Sequence, residues 1–162
     1  MHHTEEGVFL LYKPRIYLSF LELYFYIVFT MEKDFDRWNK KKKKMELYNH
    51  PLSFKEGDIW WIGMGLNIGS EMNGKNALYE RPVYVLRKCN QNTFIGIPCT
   101  SKKHNGSHMY SLIIENKGIF HLNFSQIRVF SSKRLFRKIV KTNVVKDIVE
   151  IFIKYLKRNT AY

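Results

Sequence analysis

The sequence predicts a mainly β (α+β) domain with a helix at each end. Short apolar stretches with period-two alternation fill the middle of the chain, clusters of Gly, Asn and Ser separate them, and helical periodicity appears only at the two flanks. Several short strands with regular turns are typical of a β-barrel or a β-sandwich. A chain of 162 residues has room for one such domain and an appendage.

The charge balance favours a polyanionic partner. The chain carries 27 Lys and Arg residues against 14 Asp and Glu residues, a formal net charge of +13. A surplus of this size on a small protein attracts nucleic acid or another polyanion. Hydrophobic residues make up 45% of the chain and aromatic residues 15%, which excludes a disordered protein.

Cysteine and histidine usage predicts a cytoplasmic protein with no metal centre and no cofactor. Cys89 and Cys99 form neither a disulfide framework nor a metal-ligand spacing. The six histidines lack the paired spacing of a zinc site. We therefore expect both thiols to be reduced, and to act as small apolar side chains.

Residues 1–30 form an apolar N-terminal extension. Its central stretch, residues 16–29, is interrupted by Glu22 and is shorter than the roughly 20 residues of a spanning helix. Lys13 and Arg15 precede it, but no small-residue cleavage motif follows. Three interpretations stay open: a membrane or interfacial segment, a signal peptide, or an extension without a structural role, with translation starting at Met31. The third is favoured, so membrane attachment is not expected.

Residues 31–50 form a basic helical segment. Phe35, Trp38 and Met45 fall near one face, acidic residues come early and lysines come late, as the helix dipole favours. The lysine run 40–44 is either a solvated face or a contact to phosphates. Pro51 disfavours helix at the preceding residue, so a domain boundary is expected there, with the main domain over residues 51–162.

Six strands are predicted beyond that boundary, over residues 58–64, 82–87, 93–100, 109–114, 118–123 and 126–130. The gap 65–81, with its three Gly and three Asn residues, is predicted to be a mobile loop facing a ligand. Residues 131–137 are predicted to form a turn or a short helix. A final helix has an apolar stripe that must bury against the barrel or a partner: Val145, Ile148, Val149, Phe152, Tyr155 and Leu156.

Four sequence blocks, in this order and at these spacings, carry a resemblance to a known family. They are residues 57–61 (GDIWW), residues 69–71 with 74–75 (GSE and GK), residues 81–83 (RPV), and Pro98 with residues 100–101 (TS). Over residues 54–156 the chain resembles the MazF/PemK toxins of type II toxin-antitoxin systems. Two features depart from the family pattern: residues 76–80 lengthen one segment, and the N-terminal helix lies outside it.

The resemblance implies an SH3-like or CcdB-like barrel with a C-terminal helix, working as a homodimer. It implies a toxin endoribonuclease that cleaves single-stranded RNA at a short motif without metal, and that is inhibited by a cognate antitoxin, with which it could also contact DNA. Arg81 and Thr100 match the family's catalytic pair. The RNA-binding positions implied are Gln126, Arg128, Lys75, Ser101 and Glu71.

The chemistry of these side chains agrees with that role. Arg81 would offer a planar set of donors to phosphate oxygens and stay protonated, and Thr100 would add a hydroxyl donor. His121 is the competing general base, but it lies in no matched block and is interpreted as structural. Because Trp60 and Trp61 alternate along a strand, one should face the core and the other the opposite side.

Two alternatives belong to other functional classes. The first is a non-catalytic barrel that binds DNA or inhibits a protein target, as CcdB-like proteins of this fold do. Intact Arg81 and Thr100 argue against it. The second is a membrane-attached protein that uses residues 16–29.

Overall fold

The computed structural model describes residues 33–48 and 52–158. Predictions for the extension 1–30 and for a boundary at Pro51 fall outside the described residues. No helix within the described ranges is long and apolar enough to cross a membrane. The elements, in chain order, are helix α1 (Phe35–Glu46), strands β1 (Asp58–Gly63), β2 (Glu80–Lys88), β3 (Thr93–Thr100), β4 (Met109–Ile114), β5 (Gly118–Asn123), β6 (Arg128–Ser131) and β7 (Leu135–Lys141), and helix α2 (Val145–Arg158).

The seven strands form one open antiparallel sheet with a barrel-like arrangement. Strand β1 pairs with β2 and β7, and β2 pairs with β3. The other edge of β3 is shared by β6 and β5. A single 3-10 turn, Ser132–Arg134, leads from β6 directly into β7, so the chain, and not a β-ladder, joins the two ends of the path β1-β2-β3-β6-β7. The predicted mainly β fold with flanking helices is confirmed.

Strand β7 was not predicted. Residues 131–137 were expected to form a turn or short helix, and only Ser132–Arg134 do so. From Leu135 onward the chain pairs with β1, but two register shifts interrupt this ladder. Bulges of this kind break the alternation of apolar and polar residues by which a strand is recognised. In β7 the bulges place two basic residues next to each other, 137 and 138, followed by two apolar residues, 139 and 140.

Two hydrophobic clusters lie on opposite faces of strand β2. Val83 and Val85 belong to the barrel interior with Trp60 and Phe94. Tyr84 and Leu86 belong to a second cluster with Ile59, Ile97, Leu122, Phe124 and Ile148. Because β2 is buried on both faces, its backbone is held from two sides at the strand that carries Arg81.

Helix α2 covers the second cluster. Ile148 is fully buried, and the rings of Phe152 and Tyr155 lie 5.4 and 5.9 Å from that of Phe124. The predicted apolar stripe therefore packs against the barrel through these three residues. Val149 and Leu156, at its edge, remain exposed.

Helix α1 packs on the barrel through a separate small cluster. The side chain of Asp34 caps the helix by accepting a hydrogen bond of 2.8 Å from the Arg37 amide. Trp38 and Met45 are buried beside Tyr79, as the predicted apolar face requires. Phe35 is the exception and is 45% exposed.

Candidate nucleic-acid interface

Arg81 and Thr100 come together on neighbouring strands. The ladder between β2 and β3 pairs Val83 with Pro98, and continuing this register by two residues on each strand sets Arg81 opposite Thr100. Both side chains line one cavity of about 230 Å³, here called the Arg81 cavity. They are 9% and 6% exposed. These two sequence-predicted residues therefore share one recess, and each keeps a small exposed surface.

The Arg81 guanidinium is fixed by backbone oxygens. Its Nε donates to the Asn73 carbonyl at 2.7 Å and its Nη1 to the Cys99 carbonyl at 3.4 Å. A guanidinium has five N–H groups, so these two bonds use two of them and leave three further donors. Burial lowers the pKa of Arg81 from its ordinary value, against an opposing effect of Cys99. The same burial raises the pKa of the Cys99 thiol to about 12, so this neighbour is uncharged at neutral pH.

Thr100 ends strand β3 with its hydroxyl at the cavity. The Oγ1 atom accepts a hydrogen bond of 3.2 Å from the Lys102 amide. Accepting this bond leaves the hydroxyl proton free to be donated to a ligand oxygen. Ser101, the next residue, is exposed and also lines the cavity.

The cavity wall combines cations with apolar surface. Lys75, a predicted RNA-binding residue, lines it, as does Lys117 from the β4–β5 hairpin. Trp61, Pro82, Ile119 and Phe120 provide apolar and aromatic wall. The lining contains one carboxylate, that of Glu80, and this carboxylate is ion-paired with Arg137. The recess is thus suited to an anion attached to a flat or apolar group.

Arg128 and Glu71, two further predicted residues, line recesses other than the Arg81 cavity. Arg128 lines a cavity of about 270 Å³, where its Nη1 donates to Asn67 Oδ1 at 3.3 Å and its guanidinium stacks 4.9 Å from the Phe130 ring. Burial lowers the pKa of Arg128, while the negative charge of Glu71 opposes that shift.

The loop between β1 and β2 connects the two recesses. Gln126 Oε1 accepts a hydrogen bond of 2.9 Å from the Met72 amide. The carbonyl oxygen of the adjacent Asn73 accepts the hydrogen bond that Arg81 Nε donates. Gln126 therefore contacts the loop between β1 and β2, and Gln126 itself does not line the Arg81 cavity.

Sequence reasoning missed several residues of the Arg81 cavity. Lys117 and Phe120 come from a hairpin outside every matched block, and Glu80 was treated as part of a lengthened segment. Trp61 is half-buried and lines the cavity, whereas Trp60 is in the core, as strand alternation predicts. His121 is 6% exposed, and its Nδ1 lies 2.8 Å from Ser111 Oγ. His121 does not line the cavity.

Within the described ranges, no group of three or more His, Cys, Asp and Glu side chains is arranged to hold a metal ion. No protein-family model matches the sequence, and no curated protein matches it. One similar solved structure is that of an endoribonuclease in complex with its cognate antitoxin from mycobacterial species. The TM-score is 0.47 and the identity 8%, over 65% of this chain and 96% of that chain. A likeness at this level does not indicate a shared activity.

Proposed function

We propose that the protein is a toxin endoribonuclease that cleaves single-stranded RNA at a short motif without a metal ion. One observation carries the proposal: Arg81 and Thr100, which are distant in sequence, line the same small cationic cavity. A phosphodiester in that cavity would meet a fixed guanidinium and a free hydroxyl donor. These are the groups that a developing phosphorane charge needs.

The reaction uses the RNA, these side chains and solvent water. The ribose 2′-oxygen attacks the neighbouring phosphorus, the bond from phosphorus to the 5′-oxygen breaks, and a 2′,3′-cyclic phosphate and a 5′-hydroxyl result. The 2′-hydroxyl proton passes to solvent water, Arg81 donates a proton to the 5′-oxygen as the bond breaks, and water then reprotonates Arg81. Arg81 stabilises the phosphorane and shares in this transfer, and its lowered pKa favours donation. Thr100 holds a non-bridging oxygen.

The other predicted residues guide the RNA. Lys75 and Ser101 are exposed at the cavity and contact the phosphates on either side of the cut. Gln126 and Arg128 act through the loop that contains Glu71, since both side chains bond to residues of that loop.

The partners proposed are a second copy of the chain and an antitoxin. An antitoxin would inhibit by covering the Arg81 cavity. Because the cavity is lined by Lys75, Arg81 and Lys117 against the single, already paired carboxylate of Glu80, the covering segment is expected to be acidic.

Expression of the chain with and without Arg81→Ala, followed by mapping of the 5′ ends of cellular RNA, tests the proposal. The parent should produce breaks at a common short motif, with 5′-hydroxyl ends, and Arg81→Ala should produce none. Arg87→Ala is the matched control, because Arg87 lies on the same strand with its side chain 71% exposed. Cleavage that persists in Arg81→Ala, or that a chelator abolishes, contradicts the mechanism. A parent that binds but never cleaves RNA would favour the non-catalytic barrel.

A further inference from the structure

A second and larger recess lies beside the Arg81 cavity. It has a volume of about 540 Å³ and lies between helix α1 and the segment 77–80, with Phe136 of β7 at its base. This recess is called the α1 groove here. Both of its walls are features by which the chain departs from the MazF/PemK pattern, the N-terminal helix and the lengthened segment. The structure shows that these two departures pack on each other.

Two contacts join the walls. The rings of Trp38 and Tyr79 lie 5.4 Å apart. Lys41 Nζ donates a hydrogen bond to the Leu78 carbonyl, and the same ammonium lies 5.1 Å from the centre of the Phe136 ring. Helix α1 and the segment 77–80 therefore pack directly on each other, and this packing forms the groove.

One rim of the groove is strongly cationic. Arg37, Lys40, Lys41 and Lys44 all line it, at positions three, four and seven residues apart that share a helix face. The five lysines of the run therefore do not all face the same surface. Lys42 lines the cavity of Arg128, and Lys43 does not line the groove. A plain solvated face would not gather four cations over one recess.

The floor of the groove is aromatic and apolar. Tyr48, Tyr79 and Phe136 line it together with Met45 and Leu78, and Tyr48 is 54% exposed. The groove contains one carboxylate, that of Glu80, which Arg137 neutralises. A cationic rim over aromatic rings matches single-stranded nucleic acid, whose phosphates need cations and whose bases stack on aromatic side chains.

The α1 groove and the Arg81 cavity adjoin each other. Glu80 lines both, and residues 75–76 line the cavity while residues 77–79 line the groove. A strand of RNA leaving the cavity would cross only this segment to enter the groove.

We propose that the α1 groove is a second RNA subsite, which holds the part of a single-stranded substrate that continues beyond the Arg81 cavity. That one RNA molecule extends from the Arg81 cavity into the groove rests on the proposed function. That RNA binds in the groove does not rest on it. Rim cations contact phosphates there, and Tyr48 stacks on a base.

The test measures fluorescence anisotropy of the full chain with 2′-fluoro oligonucleotides of random sequence, which lack the attacking hydroxyl. A tetramer can fill only one recess and a dodecamer can fill both. The groove variant is Lys40→Gln with Lys44→Gln. The control is Lys43→Gln with Lys154→Gln, which removes the same charge from two exposed lysines that do not line the groove.

The groove variant should bind the dodecamer roughly tenfold more weakly near physiological salt, and its salt slope should be flatter by about 1.4, as loss of two phosphate contacts requires. The control should change little. Tyr48→Ala should weaken dodecamer binding by about fivefold or more, and Tyr48→Phe should not. Equal losses in the groove variant and the control, or equal losses with tetramer and dodecamer, would overturn the subsite.

The result also separates this inference from the proposed function. If the parent cleaves RNA but the groove variant binds the dodecamer as the control does, the nuclease assignment holds and the subsite is wrong. If no RNA is cleaved but dodecamer binding still depends on the two lysines, the subsite holds without the nuclease. A polyglutamate peptide serves as a second probe. If the groove variant binds this peptide more weakly than the parent does but binds RNA as the parent does, the groove belongs to a protein segment and the inference is overturned.

Discussion

Arg137 holds Glu80 in a two-point ion pair, with an Nη1–Oε1 distance of 3.0 Å and an Nη2–Oε2 distance of 3.1 Å. Glu80 is 2% exposed and lies where the Arg81 cavity meets the α1 groove. The Arg137 guanidinium also stacks 5.0 Å from the Trp61 ring. A carboxylate between two recesses that would each hold phosphate is thereby neutralised.

This pairing predicts an asymmetry between two variants. Arg137→Ala leaves the Glu80 carboxylate buried without its cation, whereas Glu80→Gln leaves a neutral amide beside a half-exposed arginine. Breaking a buried pair typically costs about 3–5 kcal/mol. Because the Arg137 side chain is 56% exposed, we expect a smaller loss of about 1–3 kcal/mol for Arg137→Ala, discounted for solvent screening.

Urea denaturation of both single variants and of the double variant measures this asymmetry. Glu80→Gln should restore part of the stability that Arg137→Ala removes, so the double variant should lose less stability than the two single variants lose together, and the cycle should show a non-zero coupling energy. If the two single variants were equally destabilised and their effects simply added in the double variant, the ion pair would contribute nothing specific to the free energy of unfolding.

Gln126 is predicted to order the loop that faces the substrate. Its side-chain oxygen accepts from the Met72 amide, so Gln126→Ala should free that amide and speed its hydrogen exchange. Because Asn73 anchors Arg81, RNA cleavage should fall about 10- to 100-fold through poorer placement of the guanidinium. Gln126→Glu, which keeps an acceptor, should retain slow exchange at Met72. Unchanged exchange in Gln126→Ala would show that the loop is held by other contacts.

Arg81 and Thr100 were predicted from the resemblance of two short sequence blocks, and the structure brings both into one cavity. Arg81 and Thr100 lie in short sequence blocks at the ends of β2 and β3, and antiparallel pairing brings such ends together. Lys117 and Phe120 were not predictable in this way. They reach the cavity because β5 joins β3 over just Cys99–Leu122 and Thr100–His121, and no local sequence pattern encodes so short a pairing.

The same distinction applies to the fold. The six strands with regular alternation were predicted, whereas β7, interrupted by two register shifts, was not. Helix α1 was predicted from the placement of Trp38 and Met45, but its partner Tyr79 lies in a segment without periodicity. The α1 groove therefore depends on tertiary packing that the sequence alone does not display.

Thr100 is predicted to act through its hydroxyl. Thr100→Val keeps the shape of the side chain but loses the donor, and loss of one such donor typically lowers the rate about 100- to 1,000-fold. Thr100→Ser keeps the hydroxyl and should retain most of the cleavage rate. Single-turnover cleavage at saturating RNA measures the effect on the chemical step.

His121→Gln is the control for this experiment. His121 pairs with Thr100 across the ladder between β3 and β5 but binds Ser111 and does not line the cavity. Cleavage and its pH profile should therefore be retained in His121→Gln. A rate that falls as far as in Thr100→Val, together with a changed pH profile, would make His121 the general base.

Gly65 determines whether helix α1 can pack on the barrel. An added Cβ would lie 2.1 Å from Trp38 Cζ2, and the backbone has φ +89°. Gly69, four residues on, also has a positive φ, +55°, but a Cβ there would meet nothing within 4 Å. Gly69→Ala should therefore cost only the left-handed backbone penalty of about 1–2 kcal/mol, while Gly65→Ala should approach the roughly 3–5 kcal/mol of losing a buried tryptophan.

Denaturation with urea, followed by far-UV circular dichroism and tryptophan fluorescence, distinguishes the two variants. Gly65→Ala should expose Trp38, shift the fluorescence to longer wavelength and weaken dodecamer binding, because displacing α1 opens the α1 groove. Gly69→Ala should leave both the emission and the binding unchanged. If the two variants had the same stability and the same emission, Trp38 would be able to move away from a Cβ at position 65. The packing of α1 on the barrel would then not require glycine there.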